Sequence, residues 1–331
     1  MKIIHLTLVI LLLTSCKSER SCFSEEHKTY INNLTVEDRD GELIVEDLYL
    51  THGVACVGDY LVVCSANRER LIFVYSLGGD FIGAYGNKGR ASNEMLGVRF
   101  NGQVDSSRSL LYTVDVNNRQ LVSIDLKATI EQDKLVVSQK YTSLYAAALP
   151  PGVNTFLLKD SSVLVEQQND SNYALMRLKG EEAELLEDLY LTSTSDPYGN
   201  YFSSCAISPN GEKMAWAMQN INQVNILDLV NRDRVSRSLY LKPSMVDDEN
   251  VMVYYCNIAV TDKYIYALYM NQSEDDSYEV PQKSEIHVFN WSGKHIKNIV
   301  VDEYLFYFDV DDTDSNIYAL DQERNLYRYK I

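Results

Sequence analysis

The chain has 331 residues, 46% hydrophobic and 23% charged, which describes a folded globular protein and excludes a disordered or low-complexity one. A formal net charge of −17 excludes nucleic acid and anionic lipid headgroups as natural partners, since both require a positive surface. The acidic residues are spread over loops rather than blocked together, so the charge reads as solubility.

The first predicted element is an export signal. Lys2 supplies a positive start, Ile3 to Leu13 an apolar run, and Thr14 and Ser15 the small residues that a peptidase needs beside its cut. The run is too short to span a bilayer, which takes roughly 20 apolar residues. Leu13-Thr14-Ser15-Cys16 resembles the lipobox of bacterial lipoproteins, in which the cysteine becomes the lipid-bearing N-terminus. The resemblance implies a signal peptide over residues 1–15, lipid attachment at Cys16, and a body held at the cell envelope by the outer membrane. Several acyl chains anchor durably where one holds only marginally. Residues 16–42, beginning Cys16-Lys17-Ser18-Glu19-Arg20, are polar and read as a tether.

Beyond the tether, short β-like runs repeat. Aligning Val62, Tyr112, Leu164, Ala215, Tyr266 and Tyr318 within six apolar segments gives spacings of 50, 52, 51, 51 and 52 residues. A turn precedes each segment, as in Gly58-Asp59 and Pro209-Asn210-Gly211, and a second strand-like run follows, as in Leu71 to Tyr75 and Ile286 to Phe289. Adding a third run and a strand before each turn gives four antiparallel strands per unit, which is the make-up of a β-propeller blade. The expected fold is all-β: a six-bladed propeller of four-stranded antiparallel blades over residues 43–331. A seven-bladed ring with one degenerate blade is the alternative, disfavoured by the repeat count. The last unit stops at Ile331 after its third strand, so the N-terminal run Glu42 to Leu50 is expected to supply the missing outer strand, closing the ring and removing a free sheet edge.

Gly58-Asp59-Tyr60-Leu61-Val62-Val63, then Ile72 to Ile82, then Gly86-Asn87-Lys88-Gly89-Arg90-Ala91-Ser92-Asn93-Glu94, resemble the TolB-like six-bladed propeller lipoproteins of gut Bacteroidota. The first blade of that family often ends in Gly-x-x-Gly-x-Gly-Pro-x-Glu. Gly86, Gly89 and Glu94 match it, while Ala91-Ser92-Asn93 depart from its Gly-Pro portion. The resemblance implies a lipid-anchored extracytoplasmic propeller and brings no catalytic residues with it. Some Bacteroidota lipoproteins carry an acidic surface-export signal after the lipidated cysteine. Lys17-Ser18-Glu19-Arg20 matches it poorly, so periplasmic and surface orientations both stay open.

Catalytic motifs are missing: there is no His-Glu-x-x-His, Gly-x-Ser-x-Gly, Ser-x-x-Lys or phosphate-binding loop. Asp312, Asp314, Asn316 and Glu323 fall at positions 1, 3, 5 and 12 of an EF-hand loop, but Ile317 stands where that loop needs glycine. The segment therefore reads as a polar hairpin turn. Cys205 and Cys256 occupy equivalent places in the innermost strands of adjacent units and could pair only if their Cα atoms came within about 7 Å; buried free thiols are the preferred reading. Most of the 24 tyrosines are read as packing between blades, with Tyr254-Tyr255 and Tyr304 to Tyr307 as candidates for a recognition rim. The insertion Met270 to Ser284 lengthens one loop beyond its counterparts.

Two functions are weighed. The favoured one is a non-enzymatic module, expected to be a monomer without cofactor, that binds a protein, peptide or glycan at a loop face or channel mouth. The other is a metal-dependent lactonase or esterase-like hydrolase with its site in the channel. That class needs several carboxylate or amide side chains converging from inner strands, and only Asn154 and Asn257 stand out at the aligned positions.

Overall fold

A computed structural model describes residues 29, 31, 35–66, 69–91, 94–115, 118, 120–143, 154–168, 173–180, 182–188, 203–231, 234–238, 251–273 and 283–331. The expected signal peptide, Cys16 and most of the tether lie outside these residues, as do 274–282 of the insertion.

Two strands, β1 (Val36–Arg39) and β2 (Gly41–Val45), come first in the chain. Blade 1 is β3 (Thr51–Val57), β4 (Tyr60–Ser65), β5 (Arg70–Ser76) and β6 (Phe81–Asn87). Blade 2 is β7 (Val98–Asp105), β8 (Leu110–Asp115), β9 (Gln120–Asp125) and β10 (Val137–Ser143), with the short helix α1 (Leu126–Glu131) before its last strand. Blade 3 is β11 (Thr155–Leu157), β12 (Val163–Gln168), β13 (Tyr173–Lys179) and β14 (Glu182–Asp188). Blade 4 is β15 (Ser203–Ile207), β16 (Lys213–Met218), β17 (Gln223–Asp228) and β18 (Arg234–Ser238). Blade 5 is β19 (Met252–Val260), β20 (Tyr264–Ser273), β21 (Ser284–Asn290) and β22 (His295–Val301). Blade 6 is β23 (Leu305–Val310), β24 (Asn316–Asp321) and β25 (Leu326–Lys330), completed by β2. Six sheets form among the described residues, and the seven-bladed alternative is set aside.

Strand periodicity explains why each second strand reads as one continuous apolar run. Successive side chains leave a strand on opposite faces, and in a ring both faces of a sheet are covered. In β4, Leu61 and Val63 pack toward blade 6, while Val62 and Cys64 pack toward blade 2. In β20, Ile265, Ala267 and Tyr269 join blade 4, while Tyr266 and Leu268 join blade 6. The buried core accordingly divides into six clusters, one at each junction of neighbouring blades, the blade 6–blade 1 junction included. That last cluster joins Val54, Leu61 and Tyr75 to Tyr318, Leu320 and Leu326, so the ring is closed by side-chain packing as well as by hydrogen bonds.

The N-terminal strand closes blade 6 as expected. β2 runs antiparallel to β25, with Gly41 opposite Tyr329, Glu42 opposite Arg328 and Leu43 opposite Tyr327. Glu42 and Arg328 form an ion pair at 2.5 Å. Gly41 is needed here, because a Cβ at that position would stand 2.6 Å from the Tyr329 ring.

One strand was not expected. β1 adds to the outer edge of blade 5, parallel to β22, with Val36 opposite Asn298 and Arg39 opposite Val301. It lies within the segment read as tether. The backbone N–H of Asn298 donates to Thr35 O at 2.7 Å, and Lys297 donates to Glu37 at 2.8 Å. The hydrogen bond from Lys297 holds the Glu37 carboxyl below the usual range. The chain thus laces blade 5 before it seals blade 6.

The family-like loop after blade 1 also has a physical basis. Gly86 adopts φ +79°, and a Cβ on Gly89 would collide with the Glu94 carboxylate, which accepts from the backbone N–H of Ala91 at 3.0 Å.

Candidate functional site

The innermost strands β3, β7, β11, β15, β19 and β23 surround a channel. Its upper part is a cavity of about 370 Å³ lined by His52, Arg99, Asn101, Asn154, Ser203, Ser204, Asn257 and Tyr307 among others. Its lower part is a wider cavity of about 690 Å³ lined by the turns between first and second strands, including Asp105, Asp262 and Asp312, with Arg108 and Lys159. Gly102 and Asp309 line both, so the two cavities stack along the ring axis.

Most polar groups of the upper wall are fixed by neighbouring blades. Asn101 of blade 2 donates its amide to Thr155 O of blade 3 and accepts from the backbone N–H of Gln103 at 2.9 Å. Ser204 of blade 4 donates to Cys256 O of blade 5 at 2.9 Å, and Asn257 of blade 5 donates to Phe306 O of blade 6 at 3.3 Å. His52 lies 3.3 Å from Val98 O across the blade 1–blade 2 junction. These bonds orient the wall without filling the channel.

Glu166 stands behind this wall, bonded to three of the residues that line it. It sits on β12 amid buried Val163, Leu164 and Val165, and is itself buried. Its oxygens accept from Asn154 Nδ2 at 2.6 Å, Ser203 Oγ at 3.2 Å and Cys205 Sγ at 3.3 Å. Burial raises its carboxyl above the ordinary range against the pull of those donors and of Arg99. The same burial, with Glu166 alongside, pushes the Cys205 thiol up, so Cys205 is no thiolate nucleophile. Arg99 is reached by solvent through the channel, yet the surrounding wall desolvates it enough to lower its pKa, with Glu166 opposing.

At the lower end, Asp309 is buried and accepts from Cys56 N of blade 1 at 2.8 Å and from Val310 N at 2.9 Å. Burial pushes its pKa to about 7, with Asp312 and Asp311 adding in the same direction.

The residues singled out from sequence divide clearly. Asp311, Asp312 and Asp314 form a hairpin turn rather than one convergent set. Asp311 accepts from Ser315 N, Thr313 Oγ1 and Asn316 Nδ2, while Asp314 accepts from Thr261 Oγ1 and Tyr266 OH of blade 5. Asp312 accepts from Ser106 Oγ at 3.0 Å. Asn316 opens β24, which carries the chain away toward Glu323. Among the described residues no three His, Cys, Asp or Glu side chains gather in metal-holding geometry.

Cys205 and Cys256 are free thiols on the inner strands of blades 4 and 5. Asn154 and Asn257 do line the channel. Tyr255 is in the core with its hydroxyl 3.1 Å from His287 Nδ1, and Tyr304 is buried with its hydroxyl accepting from Gln272. Of the tyrosines proposed for a rim, Tyr307 reaches the channel. Sequence reasoning missed Arg99, His52 and Glu166. The one available signal was a glutamate inside the apolar run Val163-Leu164-Val165-Glu166.

Six antiparallel blades around a polar channel, five of four strands and one carrying β1 as a fifth, define a six-bladed β-propeller. The family model described as TolB-like 6-blade propeller-like matches residues 43–313, and the chain belongs to that family. Among solved structures, a member of the DUF4221 family from Bacteroides vulgatus is similar at 13% identity and a TM-score of 0.58, over 90% of this chain and 97% of that one. A protein of Bacteroides fragilis assigned as exported is similar at 11% identity and a TM-score of 0.50, over 92% and 98%. A search of curated proteins gives no match. At such identities the likeness concerns the fold.

Proposed function

We propose that the protein is a lipid-anchored extracytoplasmic propeller, monomeric, that binds a protein, peptide or glycan ligand at the upper mouth of its channel. The observation that carries this reading is the upper cavity itself: a concave site whose amides and hydroxyls are held by bonds between blades, so a ligand meets a prearranged polar wall. Preorganised walls spare the ordering cost that otherwise opposes binding. The lipobox-like segment ending in Cys16 supports the anchor, with the body held at the outer membrane in this reading. No convergent set of metal-holding side chains among the described residues favours the hydrolase alternative.

The channel is tested with a soluble body probed against peptide and glycan panels, beside an Asn257→Trp variant that fills the cavity. Binding by the parent and loss in the folded variant are expected, and equal binding by both sinks the channel reading. The anchor is tested by replacing Cys16 with Ala and fractionating cells. The variant should leave the membrane fraction, and its retention there overturns the lipoprotein reading.

A further inference from the structure

Arg99 is the second residue of β7, on the strand face opposite Val98 and Phe100, which pack toward blade 1. Its guanidinium therefore faces the channel and blade 3. Among the described residues it makes no hydrogen bond and no ion pair, although its backbone carbonyl accepts from Thr113 Oγ1 at 2.8 Å. The opposite charge that acts on it is Glu166. Glu166 is already engaged: Asn154, Ser203 and Cys205 supply its donors, and two of those three belong to the next blade. A guanidinium presents five N–H donors in a planar fork that matches two coplanar oxygens. Here that fork lines a cavity in which the fixed groups Asn101, Ser204 and Asn257 are neutral, while the Asp309 carboxyl enters only where the cavity meets the lower one.

We propose that Arg99 is the receptor for a carboxylate on the ligand, which enters the upper channel and pairs with the guanidinium in place of water. This deepens the binding function proposed above and rests on it. A carboxylate fits better than a phosphate monoester dianion, because the chain carries a net charge of −17 and each further negative charge on the ligand adds repulsion. The lower cavity sets Asp105, Asp262 and Asp312 against Arg108 and Lys159, with Asp309 at the boundary between the two cavities. The channel therefore has a polarity: an acid is attracted at the Arg99 end and meets a net negative lining at the other. Two sources offer the same chemistry, the C-terminus of a peptide and the acid group of a sugar.

The test is calorimetric titration of the soluble body with two matched pairs: N-acetyl-trialanine against its C-terminal amide, and glucuronate against glucose. At least one acid should bind about tenfold or more tightly than its neutral partner, the size expected of a charge-assisted pair. Preference in the peptide pair alone assigns a C-terminus, and preference in the sugar pair alone assigns an acidic glycan. Arg99→Gln should erase the preference at unchanged thermal midpoint, and Arg99→Lys should restore only part of it, because charge returns without the fork. Neutral partners that bind as tightly as the acids overturn the inference without needing any variant. Absence of binding by either acid overturns it too. The channel reading fails separately: neutral probes that bind and are then lost in Asn257→Trp leave the channel standing while the role of Arg99 falls.

Discussion

Asp309 and Glu166 are both carboxylates buried where two blades meet, and burial raises the pKa of each, yet their donors differ in kind. Asp309, at the junction of blades 6 and 1, accepts from two backbone amides, those of Cys56 and Val310. Glu166, at the junction of blades 3 and 4, accepts from three side chains, those of Asn154, Ser203 and Cys205. A backbone amide is present whatever residue carries it, so Asp309 clamps a junction through chain geometry alone. Side-chain donors are set by the identity of each residue, and Asn154, Ser203 and Cys205 also line the channel. The first junction is built to hold, and the second is built to shape a wall.

Removal of residues 36–45 is the harshest way to break this contrast. Only the blade 6–blade 1 junction depends on a strand brought from the other end of the chain. The deletion should leave blade 6 one strand short with its edge exposed, and the cooperative thermal transition should disappear. A truncated chain that still unfolds in one sharp step would show that Asp309 and the packing around Tyr318 close the ring unaided.

The second prediction uses pH. The Asp309 carboxyl titrates at 3.8 when unperturbed and at about 7 in the folded protein, so the folded state holds this proton more tightly than the unfolded state does. Its contribution is fully present below about pH 4 and is lost as pH rises through about 7, by up to about 4 kcal/mol. Asp309→Asn keeps an oxygen for the Cys56 amide and removes the titration. Denaturant unfolding at pH 5 and pH 8 should therefore show a smaller loss on going to pH 8 in the variant than in the parent. An unchanged pH slope would mean that Asp309 does not carry this coupling.

Third, Glu166→Ala should cost about 1–3 kcal/mol, the usual penalty for leaving donors without their acceptor. Because those donors line the channel, the variant should also lose ligand affinity more than Asp309→Asn does, as read by the same titration. Equal losses would erase the distinction between clamp and wall. The smallest effect belongs to Lys297→Ala, which removes a partly exposed ion pair with Glu37 on β1. Such pairs contribute about 0–1 kcal/mol, and denaturant midpoints should scarcely move.

The ring itself was legible because its determinants are local. A strand buried on both faces must be apolar at every position, and Tyr60 to Cys64 or Tyr264 to Tyr269 announce that directly. The closing strand was legible as well, since a last unit with three strands demands a fourth. β1 was not: Val36-Glu37-Asp38-Arg39 is mostly charged and pairs through its backbone with the already complete blade 5. Its signal resides in hydrogen-bonding geometry rather than in side chains. The channel wall was hidden for another reason. Arg99, Asn154, Ser203 and Asn257 come from blades 2 to 5, and periodicity tells which face a residue takes but not which residues meet at the axis. Asn154 and Asn257 could be found because amides are rare at the aligned inner position. Arg99 could not, since an arginine beside a strand start reads equally well as solvated surface.

The order in which the chain threads β1 and then β2 has a mechanical consequence. Once Ile31 has left the cluster between blades 4 and 5, a pull from upstream loads the four-residue β1 on blade 5 before it reaches β2 on blade 6. β1 is held by a short parallel ladder and by Lys297, with no share in the six packed clusters. It would give way before β2 and release several further residues, dissipating the strain while the closed ring keeps its shape. The short strand serves as a fuse between whatever tugs on the N-terminus and the ring around the channel.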